Sequence, residues 1–384
     1  MIADDFTGAL DSGVSLACAG LNTVVSLGDK VSFDADDVQA LVINADCRHD
    51  EPEMALEKMK AILKQWSGGF EVCYMKTDSA LRGNISSAFL AASEVTGRRI
   101  LFIPAFPDAG RVTRGGKQYI DGVLLEESSF RLDPLNPMRT SRADEIAKGN
   151  TRLEIRICEP DDDLPGDGDV VIFNCEDNRD LEILRDKLKG SATRCVLAGC
   201  AGFAAQIPAM LDRKTEHIQQ MFCAGPMLIF SGSANQATFD QLETAKRAGV
   251  PVLVMRTEND LSEVKETAIE YLRGGKSVIL TTAVCREDVS TSVMSSEQIS
   301  ALFTRLSEQI FKRYIPEKFC IIGGDTCMAV LNHFGVERVR ALCEIERGVP
   351  VSEFDYRGKQ IKLVTKSGGL GSEQAILNMI RFFR

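Results

Sequence analysis

The sequence predicts an α/β protein of two domains, each built on a mostly parallel sheet, with the active site in the interdomain cleft. Short apolar, β-rich runs alternate with amphipathic helical patterns along the whole chain. Several of these runs are continuous rather than alternating, as expected when helices cover both faces of a sheet. The rhythm breaks once, in a mostly polar stretch at 212–224, and a second series follows it. That break divides the chain into domains 1–220 and 221–384, and a length of 384 residues suits two large domains.

In the first series, strands are expected at 23–27, 40–44, 72–75, 100–103, 170–173 and 195–198. Helices are expected at 51–66 and 84–95, the second opening after Arg82-Gly83 with Asn84 as its N-cap. The charge-free stretch 195–211 carries Gly199, Gly202, Gln206 and Pro208. It reads as a buried strand, turn and helix rather than a membrane span, which needs about 20 apolar residues. Segment 104–141 is loop-rich and long, as functional loops often are. In the second series, strands are expected at 226–230, 252–255, 277–281, 319–322 and 361–365, before a last helix.

Composition narrows the function. Net charge is −10, from 45 Lys+Arg against 55 Asp+Glu. An acidic surface argues against nucleic acid or an anionic membrane as partner, but not against a small anionic substrate in a local basic pocket. The 12 Cys form no CxxC pair and read as free thiols of a reducing, cytoplasmic compartment. His49, His217 and His333 show no zinc spacing. The acidic start at Asp4 and Asp5, without a basic region, is not that of a signal peptide. A homodimer is the commonest soluble assembly, and the oligomeric state stays open.

Residues with chemistry cluster where strands end and polar or glycine-rich turns follow, the place where open α/β sheets bind ligands. Asp4-Asp5 precede Thr7-Gly8 at a helix start. They could hold sugar hydroxyls or a metal, or could simply cap the helix. Lys76-Thr77-Asp78-Ser79 runs on to Arg82-Gly83, with cations flanking a carboxylate and a hydroxyl. An Arg fork there suits a substrate carboxylate, although a salt-bridge cluster is the plainer reading. Arg111 adds a cation after the rigid turn 104–110. In the second half, Ser231-Gly232-Ser233-Ala234-Asn235, Gly323-Gly324-Asp325-Thr326 and Lys366-Ser367-Gly368-Gly369-Leu370-Gly371 each follow a strand. Together they suggest a cradle for phosphate or nucleotide, against ordinary strand–helix turns. Gly275-Lys276-Ser277 is not a Walker A loop, because Glu270 stands where its first glycine belongs. No GxGxxG follows a first strand, which disfavours a nucleotide-linked oxidoreductase.

Taken in order, these motifs resemble the four-carbon acid sugar kinase family over nearly the whole chain. The matching segments are IADDFTGALD, KTDSALRGN, PAFPDAGR with YIDGVLLEESSF and DPLNPMRTS, AGCAGFA, SGSANQAT, GGDT and KSGGLGSE. The resemblance implies an ATP- and Mg²⁺-dependent kinase that phosphorylates a terminal hydroxyl of threonate, erythronate or 3-oxo-tetronate. It implies a sugar-acid site with Asp4, Asp5, Lys76, Asp78, Ser79, Arg82 and Arg111, and catalytic roles for Asp4, Asp5, Asp78 and Asp325. On the ATP side it implies Ser231, Gly232, Ser233, Asn235, Gly323, Gly324, Asp325, Thr326, Lys366, Ser367, Gly368, Gly369 and Gly371. A non-catalytic sensor of sugar acid or nucleotide is the alternative. Family members carry a short hydrophobic strand ahead of the first motif; here Met1 stands against it, so most of that strand is expected to be missing. Where the family commonly shows Gly-Ser-Cys-Ser, this chain has Gly232-Ser233-Ala234-Asn235.

Overall fold

The computed structural model describes residues 1–29, 37–66, 69–133, 135–214, 220–291 and 294–383. Part of the polar stretch at 212–224, His217 included, lies outside them. The chain folds into two compact units, Met1–Leu21 with Gln39–Thr215, and Asn22–Val38 with Glu216–Arg384. A linear reading of the sequence does not anticipate that Asn22–Val38 counts with the second unit.

In the first unit the strands lie in the order Ala40–Asn44, Ile2–Ala3, Cys73–Lys76, Val196–Gly199, Ile100–Ile103, Val170–Phe173 and Ile155–Cys158. Every neighbouring pair is parallel. Their side chains are buried almost throughout, which explains the continuous apolar runs. Ile2–Ala3 is only two residues long, yet it sits between Ala40–Asn44 and Cys73–Lys76. Its pairing continues beyond the strand, because the Asp4 carbonyl accepts from the N–H groups of Cys47 (3.1 Å) and Arg48 (3.2 Å). Asp4 is therefore anchored through its own backbone.

Helix Pro52–Trp66 buries Ala55, Met59, Ile62 and Leu63, one stripe at helical spacing, and packs against helix Ile85–Thr96. Asn84 does precede that second helix, but its side chain makes no cap bond. Its amide instead donates to the carbonyls of Cys47 and Asp50, each at 2.8 Å, tying together two strand-end loops. Segment 104–141 is more ordered than its composition suggests. It holds a small antiparallel sheet of Arg111–Arg114, Lys117–Ile120 and Val123–Leu124, followed by short 3₁₀ turns.

In the second unit the order is Val252–Val254, Val278–Thr281, Met227–Ser231, Lys318–Ile322, Lys359–Lys366, Pro350–Tyr356, Arg338–Glu344 and Thr23–Ser26. The first five strands are parallel neighbours, and the rest pair antiparallel. The antiparallel strands Pro350–Tyr356 and Arg338–Glu344 are absent from the sequence reading; their mixed polar and apolar residues carry a weaker signal than a fully buried run. An aromatic cluster fills the core beside the parallel part, with Phe230 4.9 Å from Phe303 and 5.1 Å from Phe319 between ring centroids. The 12 Cys are all free, and no helix among the described residues is long and apolar enough to cross a membrane.

Gly199 ends a central strand where no side chain fits. A Cβ there would lie 2.3 Å from the Ile103 carbonyl oxygen and 2.8 Å from the Tyr74 hydroxyl. Gly199→Ala should therefore lower unfolding stability by about 1–3 kcal/mol. Gly190→Ala, at a glycine with open space around it, should stay within about 0.5 kcal/mol. Urea midpoints of the two variants check this.

Candidate functional site

The first cluster is assembled at the C-terminal ends of three neighbouring parallel strands. Ile2–Ala3 delivers Asp4 and Asp5, Ala40–Asn44 leads to Arg48, and Cys73–Lys76 leads to Asp78 and Arg82. Arg48 grips Asp4 with two bonds, Nε to Oδ2 at 2.7 Å and Nη2 to Oδ1 at 2.9 Å. Its Nη1 donates to Asp5 Oδ2 at 2.7 Å, and its Nη2 lies 3.9 Å from Asp78 Oδ1. Arg82 grips Asp78 in the same bidentate way, at 2.8 and 3.0 Å, and donates to Asp133 Oδ2 at 3.0 Å. The Arg82 guanidinium also stacks over the Phe130 ring, 5.1 Å from its centroid. Carboxylates and guanidinium groups are thus matched inside the protein. The forks of Arg82 and Arg48 meet the chain's own aspartates.

Asp5 takes the capping role that its sequence position offered and also pairs with Arg48. Its Oδ1 accepts from the Gly8 N–H at 3.0 Å, capping helix Phe6–Cys18, while its Oδ2 belongs to the Arg48 pair. Gly8 leaves room for two side-chain ends: a Cβ there would lie 2.6 Å from Asp5 Oδ1 and 2.7 Å from Lys76 Nζ, and these would have to shift. Lys76 is buried, and its ammonium donates to the Thr77 carbonyl at 2.8 Å; among the described residues no carboxylate lies within ion-pair distance of it. Thr77 is also buried, and among the described residues its hydroxyl oxygen has no partner. Leu81 adopts a left-handed backbone (φ 56°) within the same turn, a conformation that costs a bulky residue on the order of 1 kcal/mol or more.

Charge and burial act in opposite directions on these groups. Burial raises the Asp4 carboxyl above its ordinary value, and the nearby Asp5 charge adds to this against the pull of Arg48. Burial also works to raise Asp78, but Arg48, the Arg82 bonds and Lys76 outweigh it and hold this carboxyl well below the usual range. Burial would lower Arg82; its bonds to Asp78 reverse that and hold it firmly charged.

Ser79 lies in the same turn, where its carbonyl accepts from the buried Gln118 amide at 3.1 Å. This bond ties the small antiparallel sheet to the Asp78 turn. Arg111 stands apart from the network: it donates to the Ala109 carbonyl and lies 4.0 Å from Asp121. Among the described residues no bond joins it to Asp4, Asp5, Asp78 or Arg48. Sequence reasoning missed Arg48, although it stands in a polar turn, Asp46-Cys47-Arg48-His49-Asp50, directly after a strand. That is the same signal that singled out 76–83.

The second cluster lies in the other unit. Ser231–Asn235, Gly323–Thr326 and Lys366–Gly371 follow the neighbouring parallel strands Met227–Ser231, Lys318–Ile322 and Lys359–Lys366, so the three glycine corners stand side by side. The Gly232 N–H donates to Ile322 O at 2.9 Å and that of Gly323 to Lys366 O at 3.0 Å. Gly323 has φ 118°, which a side chain would strain, and it opens helix Gly324–His333. A Cβ on Gly232 would lie 2.3 Å from Thr326 Oγ1, and one on Gly368 2.1 Å from Ser233 Oγ. Asn235 caps helix Gln236–Arg247 through Ala237 N–H at 3.0 Å, so its amide oxygen has a structural task. Ser231 is fully buried and its hydroxyl has no partner among the described residues, and Asp325 is exposed in the first turn of its helix. Ser367 and Gly369 complete the third corner, with Lys366 buried beneath it. Thr238, Gln241 and Glu346, which also hold this corner, were not anticipated, because nothing local in the sequence brings them to it.

The likeness to known proteins follows the same division. Residues 1–207 match a family model described as a sugar-binding N-terminal domain, and residues 228–376 one described as a nucleotide-binding C-terminal domain. A D-threonate kinase of Salmonella typhimurium is 28% identical, over 100% of this chain and 97% of its own. A 3-oxo-tetronate kinase of Pseudomonas savastanoi pv. phaseolicola is 27% identical, over 97% of this chain and 94% of its own. Among solved structures, a Salmonella typhimurium protein superposes with a TM-score of 0.85 at 20% identity, covering 100% of this chain and 98% of that one. A Haemophilus influenzae protein does so at 0.77 and 23%, covering 100% and 99%. These two share the fold. With matched models covering both halves and relatives aligned end to end, the chain belongs to the four-carbon acid sugar kinase family.

Proposed function

We propose that the protein is an ATP-dependent kinase that transfers a phosphoryl group to the terminal hydroxyl of a four-carbon sugar acid, threonate, erythronate or 3-oxo-tetronate, giving the 4-phosphate. The observation that carries this reading is the Arg48-braced pair Asp4/Asp5, set beside Lys76 and the Asp78–Arg82 pair in the unit whose sequence matches a sugar-binding domain. Carboxylates with fixed orientation accept hydrogen bonds from sugar hydroxyls. Asp5 is the more exposed of the pair, with 27% side-chain exposure against 11% for Asp4. We assign Asp5 to orient the terminal hydroxyl, with proton acceptance by Asp5 or Asp4. Asp78, held low by its cations, keeps Arg82 in place. Lys76 and Arg82, with Arg111 in support, balance the substrate carboxylate.

ATP is assigned to the glycine corners of the second unit. Their lack of side chains admits close approach of backbone N–H groups to phosphate oxygens. The residues present fit that group: Ser231, Ser233 and Thr326 offer hydroxyls beside the glycines, and Asp325 offers an exposed carboxylate. Mg²⁺ is usually held by one or two carboxylates together with phosphate oxygens and water, and Asp325 is the carboxylate we assign to it. When bound, Mg·ATP supplies the phosphoryl group and neutralises its charge. The protein's part is to position the acceptor hydroxyl in line and accept its proton. A homodimer in the cytoplasm is the setting we propose.

ADP release in the presence of Mg·ATP and a panel of C4 acids tests the reading. Binding of a sugar acid without ADP release from any of them would overturn the kinase and favour a sensor. Asp5→Asn retains a good N-cap residue, so the fold should persist while turnover falls on the order of 100-fold or more. Arg82→Ala should also lose most turnover, together with stability, because buried Asp78 is left without its bidentate partner; wild-type kinetics in either variant would refute its assigned role.

Gly368→Val places a side chain against Ser233 and Asn235. It should weaken Mg·ATP binding more than sugar-acid binding, as titration of each ligand will read.

Asp78 also sets a pH dependence. Its folded value lies below the unfolded carboxylate value of about 3.9, so it stabilises the fold above that pH and the benefit is lost as pH falls towards the folded value. At pH 7 Asp78→Asn should cost on the order of 3 kcal/mol, because Arg82 loses its buried partner. The gap between variant and wild type should shrink in denaturation series run below pH 4.

A further inference from the structure

Buried side chains hold the glycine corner after strand Lys359–Lys366 by its carbonyl oxygens. Lys366 Nζ donates to the carbonyls of Ser367 (2.8 Å), Gly368 (3.1 Å) and Leu370 (2.9 Å). The Thr238 hydroxyl adds a second bond to Gly368 O at 2.8 Å. The two N–H donors of the Gln241 amide are shared among the carbonyls of Leu370 (3.1 Å), Gly371 (3.2 Å) and Ser372 (3.0 Å). All three side chains are at most 1% exposed.

Among the described residues there is no cis peptide bond. In a planar trans peptide the N–H of one residue points opposite to the carbonyl of the residue before it. The three carbonyls gripped by Lys366 belong to Ser367, Gly368 and Leu370, so the N–H groups of Gly368, Gly369 and Gly371 point away from the ammonium. Among the described residues these three N–H groups have no acceptor within the protein. Their neighbours do: Leu370 N–H bonds to Ser367 O at 3.2 Å, and Ser372 N–H to Glu346 Oε1 at 2.6 Å. An ammonium has three N–H donors, and here each meets a carbonyl. None is left for a phosphate, and the free amides lie on the other side of the peptide planes.

We propose that Lys366 is a positioning residue and not a phosphate ligand: with Thr238 and Gln241 it draws the loop carbonyls inward, so that the amides of Gly368, Gly369 and Gly371 become the donors that hold a nucleotide phosphate. The assignment rests on the nucleotide reading of this unit given above. Burial supports a measurable signature, since it lowers Lys366 to about 8, against the opposing influence of Cys320 on the adjacent strand and of Glu346. A neutral amine has one donor fewer, so the loop should slacken as pH rises through that value.

The test compares K366M with Q241L, which removes an uncharged donor from the same clamp. Mg·ATP affinity, KM for each substrate, and hydrogen exchange at the Leu370 and Ser372 amides are measured for both. Both variants should weaken Mg·ATP by ~10-fold or more, since each removes several buried hydrogen bonds. KM for the sugar acid should stay unchanged, and the two amides should exchange faster even without nucleotide. Wild-type affinity for Mg·ATP should fall between pH 7 and 9, and that of K366M should not. If K366M weakens Mg·ATP while Q241L matches wild type and exchange is unaltered, Lys366 contacts phosphate directly and the proposal is overturned. Should K366M fail to fold, the affinity and exchange of Q241L decide alone. Failure of the wild type to bind Mg·ATP would refute the nucleotide reading, whereas the exchange rates would still judge the clamp.

Discussion

The Arg48 guanidinium is the contact on which the first cluster depends. It bridges Asp4 and Asp5 directly and stands 3.9 Å from Asp78, so one cation orders carboxylates from two other strand ends. Buried carboxylates this close would repel one another, and at least one would take up a proton. Arg48 opposes that repulsion, at the cost of desolvating a guanidinium, although burial still raises the Asp4 carboxyl above its ordinary value. Arg82 repeats the arrangement one turn away with Asp78 and Asp133. Backbone bonds to the Asp4 carbonyl and the Asn84 amide bridges fix the loops that carry these groups.

The second unit solves a different problem. It presents few charges at its glycine corners and relies on backbone orientation. Close approach of Gly232 to Thr326 and of Gly368 to Ser233 brings three loops within hydrogen-bonding range of one another. Carbonyls are satisfied by buried side chains beneath, which leaves N–H groups as the available polar surface.

Much of this was legible in one dimension. Continuous apolar runs marked the parallel strands, because burial on both faces removes the alternation seen in half-exposed sheets. Glycines at strand ends marked the corners, since only they tolerate such close backbone approach. What stayed hidden had weaker signals. Strands Arg338–Glu344 and Pro350–Tyr356 mix polar with apolar residues, and Ile2–Ala3 is too short to show any pattern. Arg48 carried a visible signal, a polar turn after a strand, which went unused. Arg111, chosen by the same logic, donates to the Ala109 carbonyl and, among the described residues, bonds to no member of the Arg48 network.

By itself, the order of residues determined the element types, the two-series rhythm and the strand-end turns that carry the polar groups, because periodicity and glycine placement are local properties. Only the tertiary structure decided which turns become neighbours, through strand order. That order sets Ile2–Ala3 between Ala40–Asn44 and Cys73–Lys76, and so brings Arg48 onto Asp4 across 44 positions of sequence. It likewise brings Thr238 and Gln241 to the 366–372 loop across about 130 positions. Pairing over such distances depends on sheet topology and on the satisfaction of buried polar groups, neither of which any local window of sequence contains.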